Sequence, residues 1–149
     1  MAFDIISIGA LNVDRLYRVR RLLEEGEEMA EAWAIAPGGS AANTVYALAR
    51  WGLRCGFIGA LGDDAEAQIL LASFAEAGVD TSGIVRKEGS PTGQALCLAA
   101  GASRAIYLLP SANDLLSPQD IDPAYIAGAH WLHLSSFAAE GPRQAQEAA

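Results

Sequence analysis

The sequence predicts an α/β domain built on an open, largely parallel sheet, and three observations carry that prediction. Ile5–Ile8 and Cys55–Leu61 are short, nearly all-apolar runs, the composition of strands covered on both faces. Segments with helical periodicity follow, over Ser40–Trp51 and from Asp63 onward. No internal repeat, low-complexity tract or linker interrupts the 149 residues, so strands and helices alternate within one domain.

Each element has its own signal. Ile5–Ile8 is the first buried strand. From Leu16 to Ala36 the chain turns polar and acidic around an EEGEE turn, with Met29, Trp33 and Ile35 in partial alternation, which predicts one or two exposed strands. Ser40–Trp51 is a helix with Val45, Leu48 and Ala49 on one face and Gly52 as its left-handed stop. After the Cys55–Leu61 strand, Asp63-Asp64-Ala65-Glu66 has the form of a capping box, opening a helix that turns Ile69, Leu70 and Phe74 inward and ends at Gly78. Gln94–Ala100 and Arg104–Leu109, separated by a turn at Gly101, predict an antiparallel hairpin. Ser117-Pro118 and Asp122-Pro123 each place proline behind a capping residue and predict two short helices. Trp131–Leu134 is another buried strand, and Gly141-Pro142-Arg143 starts a helix with no stop signal before the last residue.

Composition narrows the function classes. With 10 basic and 18 acidic residues the net charge is −8, which argues against nonspecific binding to nucleic acid or an anionic membrane and favours a small molecule or a soluble partner. The N-terminus lacks the basic leader of a signal or transit peptide, and no apolar run approaches the roughly 18 residues of a membrane span. Cys55 and Cys97 lie in apolar runs without metal spacing and read as buried thiols suited to a reducing cytosol. The expected location is cytoplasmic.

Two stretches could carry chemistry. Past the first strand, Asn12 and Asp14 share a face if the chain stays extended, offering an amide donor and acceptor beside an acceptor-only carboxylate, which suits neighbouring hydroxyls. A plain turn after the strand fits the same residues. In APGGSAANTVYALARWG the pair Gly38-Gly39 precedes a helix whose first turn carries Asn43. Bare backbone amides at a helix start let a ligand approach closely, although a tight turn also uses glycines. Neither GxGxxG after the first strand nor GxxxxGK[ST] occurs, which disfavours a dinucleotide or Walker-type site. No metal site is expected: His130 and His133 lack ligand-spaced partners and read as core or strand-end histidines. Trp33 and Trp51 read as packing residues, and Ser135 and Ser136 lack a nucleophile context.

The N-x-D after the first strand, PGGSAANTVYALARWG, IGALGDD, AEAGVDTSGI, PTGQA and the SAN of LLPSANDLL, in that order, resemble the ribokinase-like carbohydrate kinases, the PfkB family, over Asp4 to Ser136. The resemblance implies a ribokinase-like three-layer fold with a mostly parallel central sheet and a small β-sheet lid formed by segments of about 16–36 and 94–109. It implies transfer of the ATP γ-phosphoryl, with Mg²⁺, to a hydroxymethyl group of a sugar, or alternatively of a nucleoside. Asn12, Asp14 and Asn43 would hold hydroxyls, and Gly38 and Gly39 would meet the sugar through backbone. The resemblance also implies a homodimer joined through the lid.

Departures matter too. Ala67 stands where the family usually has a further glycine, and Ser40 and Ser135 stand where ribokinases proper often have lysine and a carboxylate, which puts strict ribose specificity in doubt. No GAGD segment, the family's carrier of the catalytic aspartate and anion hole, occurs anywhere. The expectation is therefore that residues 1–149 are the N-terminal half of one domain, that the catalytic Asp and most of the ATP and Mg²⁺ contacts lie beyond Ala149, and that this chain alone is inactive. A truncated, non-catalytic sugar-binding module is the alternative.

Overall fold

The computed structural model describes residues 2–135 and 139–149, so the expectation for Ser136 lies outside the described residues. Four parallel strands make the larger sheet: β1 (Phe3–Ile8), β4 (Cys55–Leu61), β5 (Asp80–Arg86) and β8 (Ala129–Leu134), in the order β5-β4-β1-β8. Four more make a smaller sheet: β2 (Asn12–Arg18), β3 (Ala32–Gly38), β6 (Gly93–Ala100) and β7 (Ser103–Leu109), in the order β3-β2-β6-β7. The helices are α1 (Ser40–Arg50), α2 (Ala65–Ala77), α3 (Pro123–Ile126) and α4 (Glu140–Glu147), with single 3₁₀ turns at Ser111–Leu115 and Pro118–Asp120.

Strand alternation explains why the larger sheet is sandwiched. In β1 and β4, Ile5, Cys55, Phe57 and Leu61 face a core shared with Val45 of α1 and Leu70 and Phe74 of α2. Their neighbours Ile6, Ile8, Ile58 and Ala60 face a second core with Leu116, Ile121 and Ala145 of α4. Helices cover both faces, so the strands carry apolar side chains on both, which is the signal read in the sequence. The result is three layers.

Helix ends follow local chemistry with two corrections. Asp64, not Asp63, caps α2, its carboxylate accepting from the Ala67 amide at 3.1 Å; Glu66 closes no capping box and pairs with Arg15 at 2.8 Å. At the other end Gly78 adopts the left-handed conformation at φ 76°. Ile69 does not turn inward: it is 37% exposed while Leu70 and Phe74 are buried, because α2 touches its neighbours along a narrower stripe than the predicted one. Helix α4 stops at Glu147, with the Ala148 amide donating to the Gln144 carbonyl.

Other differences are topological. Asn12 does not extend β1 but begins a separate strand in the other sheet, so the chain changes sheets across residues 9–11. Strand β5 has no strand signal in the sequence, since five of its seven residues are small or polar. Among the described residues β8 pairs only with β1, and as an outer strand it leaves Trp131 74% exposed. Its His130 is exposed, and His133 shares a 3.2 Å hydrogen bond with Ser7 Oγ. Trp33 and Trp51 are 69% and 79% exposed and do not pack, Trp33 because it sits on the outer strand of the smaller sheet. Cys55 is buried as expected and Cys97 half-buried; both are free thiols. No helix among the described residues is long and apolar enough to cross a membrane.

Candidate functional site

The register of the smaller sheet decides which predicted residues meet. β2 runs antiparallel to β3 with Asn12 opposite Gly38 and Asp14 opposite Ala36, and parallel to β6 with Asn12 opposite Gly93 and Asp14 opposite Ala95. Directly opposed residues share a face, so Asn12, Asp14, Gly38 and Gly93 lie together. Two of these positions are bare for a reason: a Cβ on Gly38 would overlap the Asp14 carboxylate, and one on Gly93 would overlap Asn12 Oδ1 and Asn113 Nδ2. The glycines make room for the β2 side chains.

Gly39 has a different task. Its φ of 107° is open to glycine alone in practice, and a Cβ there would run into the Ala10 carbonyl oxygen. It caps α1 without a side-chain hydrogen bond, packing the first turn of that helix against the chain as it leaves β1. The glycine pair thus serves two needs, space for Asp14 at Gly38 and a backbone crossing at Gly39.

Asp14 is half-buried and accepts no hydrogen bond among the described residues, and burial raises its carboxyl above the usual carboxylate value. An ionised group held this way is costly unless something donates to it. Its strand neighbour Arg15 projects to the other face and is committed there, Nε to Gln94 at 2.9 Å and a guanidinium nitrogen to Glu66 at 2.8 Å. Arg18, at the far end of β2, pairs with Glu31 at 3.5 Å, so neither arginine of the strand neutralises Asp14.

Asn43 is exposed in the first turn of α1, its amide nitrogen bonded to the Gly39 carbonyl at 2.8 Å and its side chain without a hydrogen bond among the described residues. With Gly38 it borders a groove of about 510 Å³ between α1 and α2, together with Pro37, Tyr46, Ser73 and Glu76. Asn12, Asp14 and Gly39 are not in its lining. Pro37 is opposite Val13, on the face of the sheet away from Asp14, so the groove and the Asn12–Asp14 pair open on different faces. The structure thus brings Asn12, Asp14 and Gly38 together, and joins Asn43 to them only through Gly38.

Two further residues hold this arrangement. Asn113, of the SAN stretch, is 2% exposed and bonds both the Leu11 backbone and the Asn12 side chain. Thr92, of the PTG stretch, is fully buried: its amide and hydroxyl donate to Asp64 at 2.7 and 2.6 Å, and its hydroxyl accepts from the Gly62 amide at 3.1 Å. Burial pushes Asp64 up, but the bonds from Thr92 and Ala67 outweigh it and hold the carboxyl below its usual value. In the sequence both stretches are family marks without a role of their own; a buried polar residue at the root of a strand is their physical meaning. Among the described residues no group of three His, Cys, Asp or Glu side chains is placed to hold a metal.

Comparison with known proteins matches residues 2–149 to the pfkB family carbohydrate kinase description. The chain is 33% identical over 124 residues to a ribokinase of Staphylococcus aureus (strain COL), covering 81% of this chain and 41% of that protein. It is 35% identical over 114 residues to an aminoimidazole riboside kinase of Salmonella typhimurium (strain LT2), covering 74% of this chain and 35% of that one. Among solved structures it superposes with a TM-score of 0.84 on the Arabidopsis thaliana ribokinase complexed with ribose and ATP, at 23% identity, over 99% of this chain and 50% of that one. The chain spans half or less of the length of these proteins.

Proposed function

The chain belongs to the pfkB family of carbohydrate kinases, and on that premise we propose that it supplies the substrate-binding and lid half of an ATP-dependent kinase acting on a sugar hydroxymethyl group. The observation that carries this reading is Asp14: a half-buried carboxylate with no donor among the described residues, beside Asn12 and over a bare glycine, is poised to accept from the hydroxyls of a polyol. Asn12 would hold a neighbouring hydroxyl. Gly38 and Gly39 would meet the substrate through backbone, and Asn43 would contribute from the edge of α1.

In this reading the smaller sheet, covering the predicted segments 16–36 and 94–109, acts as the lid. Excluding water matters for this reaction, since water competes with the sugar for the phosphoryl group. The residues present do not fit ATP or Mg²⁺: no phosphate-cradling glycine template stands in the sequence, and the described residues offer no metal cluster. We therefore assign ATP, Mg²⁺ and the catalytic aspartate to residues beyond Ala149, and take the chain by itself to be inactive. The free thiols fit a cytoplasmic setting. No nucleic-acid or membrane partner is proposed for a chain of net charge −8.

A nucleoside substrate is the second reading, favoured by the similarity to a riboside kinase. Titration calorimetry of the chain with D-ribose, D-fructose, adenosine and ATP tests the proposal. One of the first three is expected to bind and ATP to give no heat; tight ATP binding would overturn the division of labour, and silence from every polyol would sink the substrate site. A truncated binding module in its own right predicts the same heats, so ADP release by the protein carrying its downstream segment separates the two.

We further propose that two copies join through the smaller sheet. Its outer strand β7 exposes Ile106, Tyr107, Leu108 and Leu109 in succession, an apolar strand edge that water does not favour. Sedimentation equilibrium is expected to show a dimer that Leu108→Glu converts to monomer. A monomer from the unaltered chain at tens of micromolar would rule this out.

A further inference from the structure

A chain of hydrogen bonds behind Asn12 fixes which end of its amide is free. The Leu11 backbone amide can only donate, and it donates to Asn113 Oδ1 at 2.9 Å. That assigns the Asn113 side chain without ambiguity: its other end is the NH₂ group. Asn113 Nδ2 in turn meets two acceptors, the Leu11 carbonyl at 3.0 Å and the Asn12 side chain at 3.0 Å. The atom of Asn12 facing it must therefore be the oxygen. Asn12 Nδ2 is left as the free end, with no acceptor among the described residues.

From this we infer that Asn113, which is buried against Asn12, is a positioning residue: it locks Asn12 so that the amide offers a donor, beside the acceptor-only carboxylate of Asp14. Two features make the lock stiff. Asn113 is bound at both ends to the backbone of a fully buried residue, Leu11, so it cannot rotate without leaving a buried backbone group unpaired. Gly93 keeps the space, since any side chain there would enter the Asn113–Asn12 bond. The consequence, which rests on the kinase reading above, is a rule of polarity for the substrate: the hydroxyl at Asn12 must present its oxygen lone pair, and the hydroxyl at Asp14 must present its hydrogen. A vicinal diol satisfies both at once, whereas a single hydroxyl at Asp14 leaves the Asn12 donor unmet.

The orientation can be tested without any sugar. In the ¹³C,¹⁵N-labelled chain, a through-hydrogen-bond coupling is expected from Asn113 Nδ2 to Asn12 Cγ, with the Asn113 side-chain protons slow to exchange and those of Asn12 fast. A coupling in the reverse sense, from Asn12 Nδ2 to Asn113 Cγ, would overturn the proposal. Its use in binding is tested with Asn12→Asp, which keeps the acceptor for Asn113 but replaces the free donor by an oxygen. That variant is expected to fold, melting somewhat below the parent chain at pH 7 because it sets a second carboxylate beside Asp14, and to bind D-ribose or D-fructose, whichever the parent binds, at least tenfold more weakly; unchanged affinity would overturn the donor role. Asn113→Asp removes the lock and is expected to weaken the same sugar similarly without touching it. Should Asn113→Asp fail to fold, the coupling and Asn12→Asp still decide. If the parent chain binds no sugar while the coupling runs as expected, the kinase reading falls and the orientation stands.

Discussion

Asp14→Asn is expected to weaken sugar binding by roughly tenfold to a hundredfold, the range for hydrogen bonds to a charged group, while leaving the chain at least as stable at neutral pH. The two effects have one cause. Burial raises the Asp14 carboxyl above its ordinary value of 3.8, so the folded state holds its proton to higher pH than the unfolded state does. Between those two values the folded chain binds more protons, and stability therefore falls as pH rises through that window. At neutral pH the ionised carboxylate works against folding and is retained in a place where only a bound donor can offset its lost hydration. An uncharged amide of the same shape removes that cost and the attraction together. Calorimetry and thermal melting on the two proteins, at pH 7 and again near pH 4, check this. Affinity within twofold of the parent would remove Asp14 from the site, and a lower melting midpoint at pH 7 would contradict the sign argued from burial.

The same residue shows where sequence reading reached and where it stopped. N-x-D is legible because a strand alternates with period two, so Asn12 and Asp14 fall on one face whichever strand they belong to. Which sheet they join is not legible: the change of sheets across residues 9–11 depends on pairing with β3 and β6, partners about 20 and 80 residues away in the chain. Both layers of apolar residues could be read in β1 and β4, since a strand buried on both faces has no polar alternation. β5 could not, because a polar, glycine-containing outer strand looks like a loop until its parallel partner is in place. The tryptophans mislead for a related reason. Size and hydrophobicity say inside, yet Trp33 and Trp131 lie on outer strands where no layer of the described chain covers them.

Asn113 and Thr92 mark the sharper limit. Each is a small polar residue with nothing in its local sequence to set it apart, and each becomes informative only when burial shows that its hydrogen bonds must be met inside the protein. Their partners lie far off in sequence, Leu11 for Asn113 and Asp64 for Thr92. Short-range pattern carries no trace of such pairings. What the pattern did carry was position: both residues sit at the roots of the smaller sheet, where PTG enters β6 and SAN leaves β7. The family marks and the structural fastenings are the same stretches.

The glycine pair separates stability from binding. Gly39→Ala is expected to cost about 3 kcal/mol or more: a non-glycine residue at φ 107° is strained by ~1 to 3 kcal/mol, and its Cβ would strike the Ala10 carbonyl, a backbone group that cannot swing aside. For a domain of this size that is a fall of roughly 10 °C in the melting midpoint. Gly38 has no such φ, and the atoms its Cβ would strike belong to the Asp14 side chain, which can rotate away. Gly38→Ala is therefore expected to lose less than about 1 kcal/mol of stability but to displace the Asp14 carboxylate and weaken sugar binding as Asp14→Asn does. If so, adding Gly38→Ala to Asp14→Asn should change affinity little further, because both act on one group. Additive losses in the double variant would mean that the added Cβ obstructs the substrate independently of Asp14, and an undiminished melting midpoint for Gly39→Ala would mean that the crossing over Ala10 is not as tight as the geometry has it.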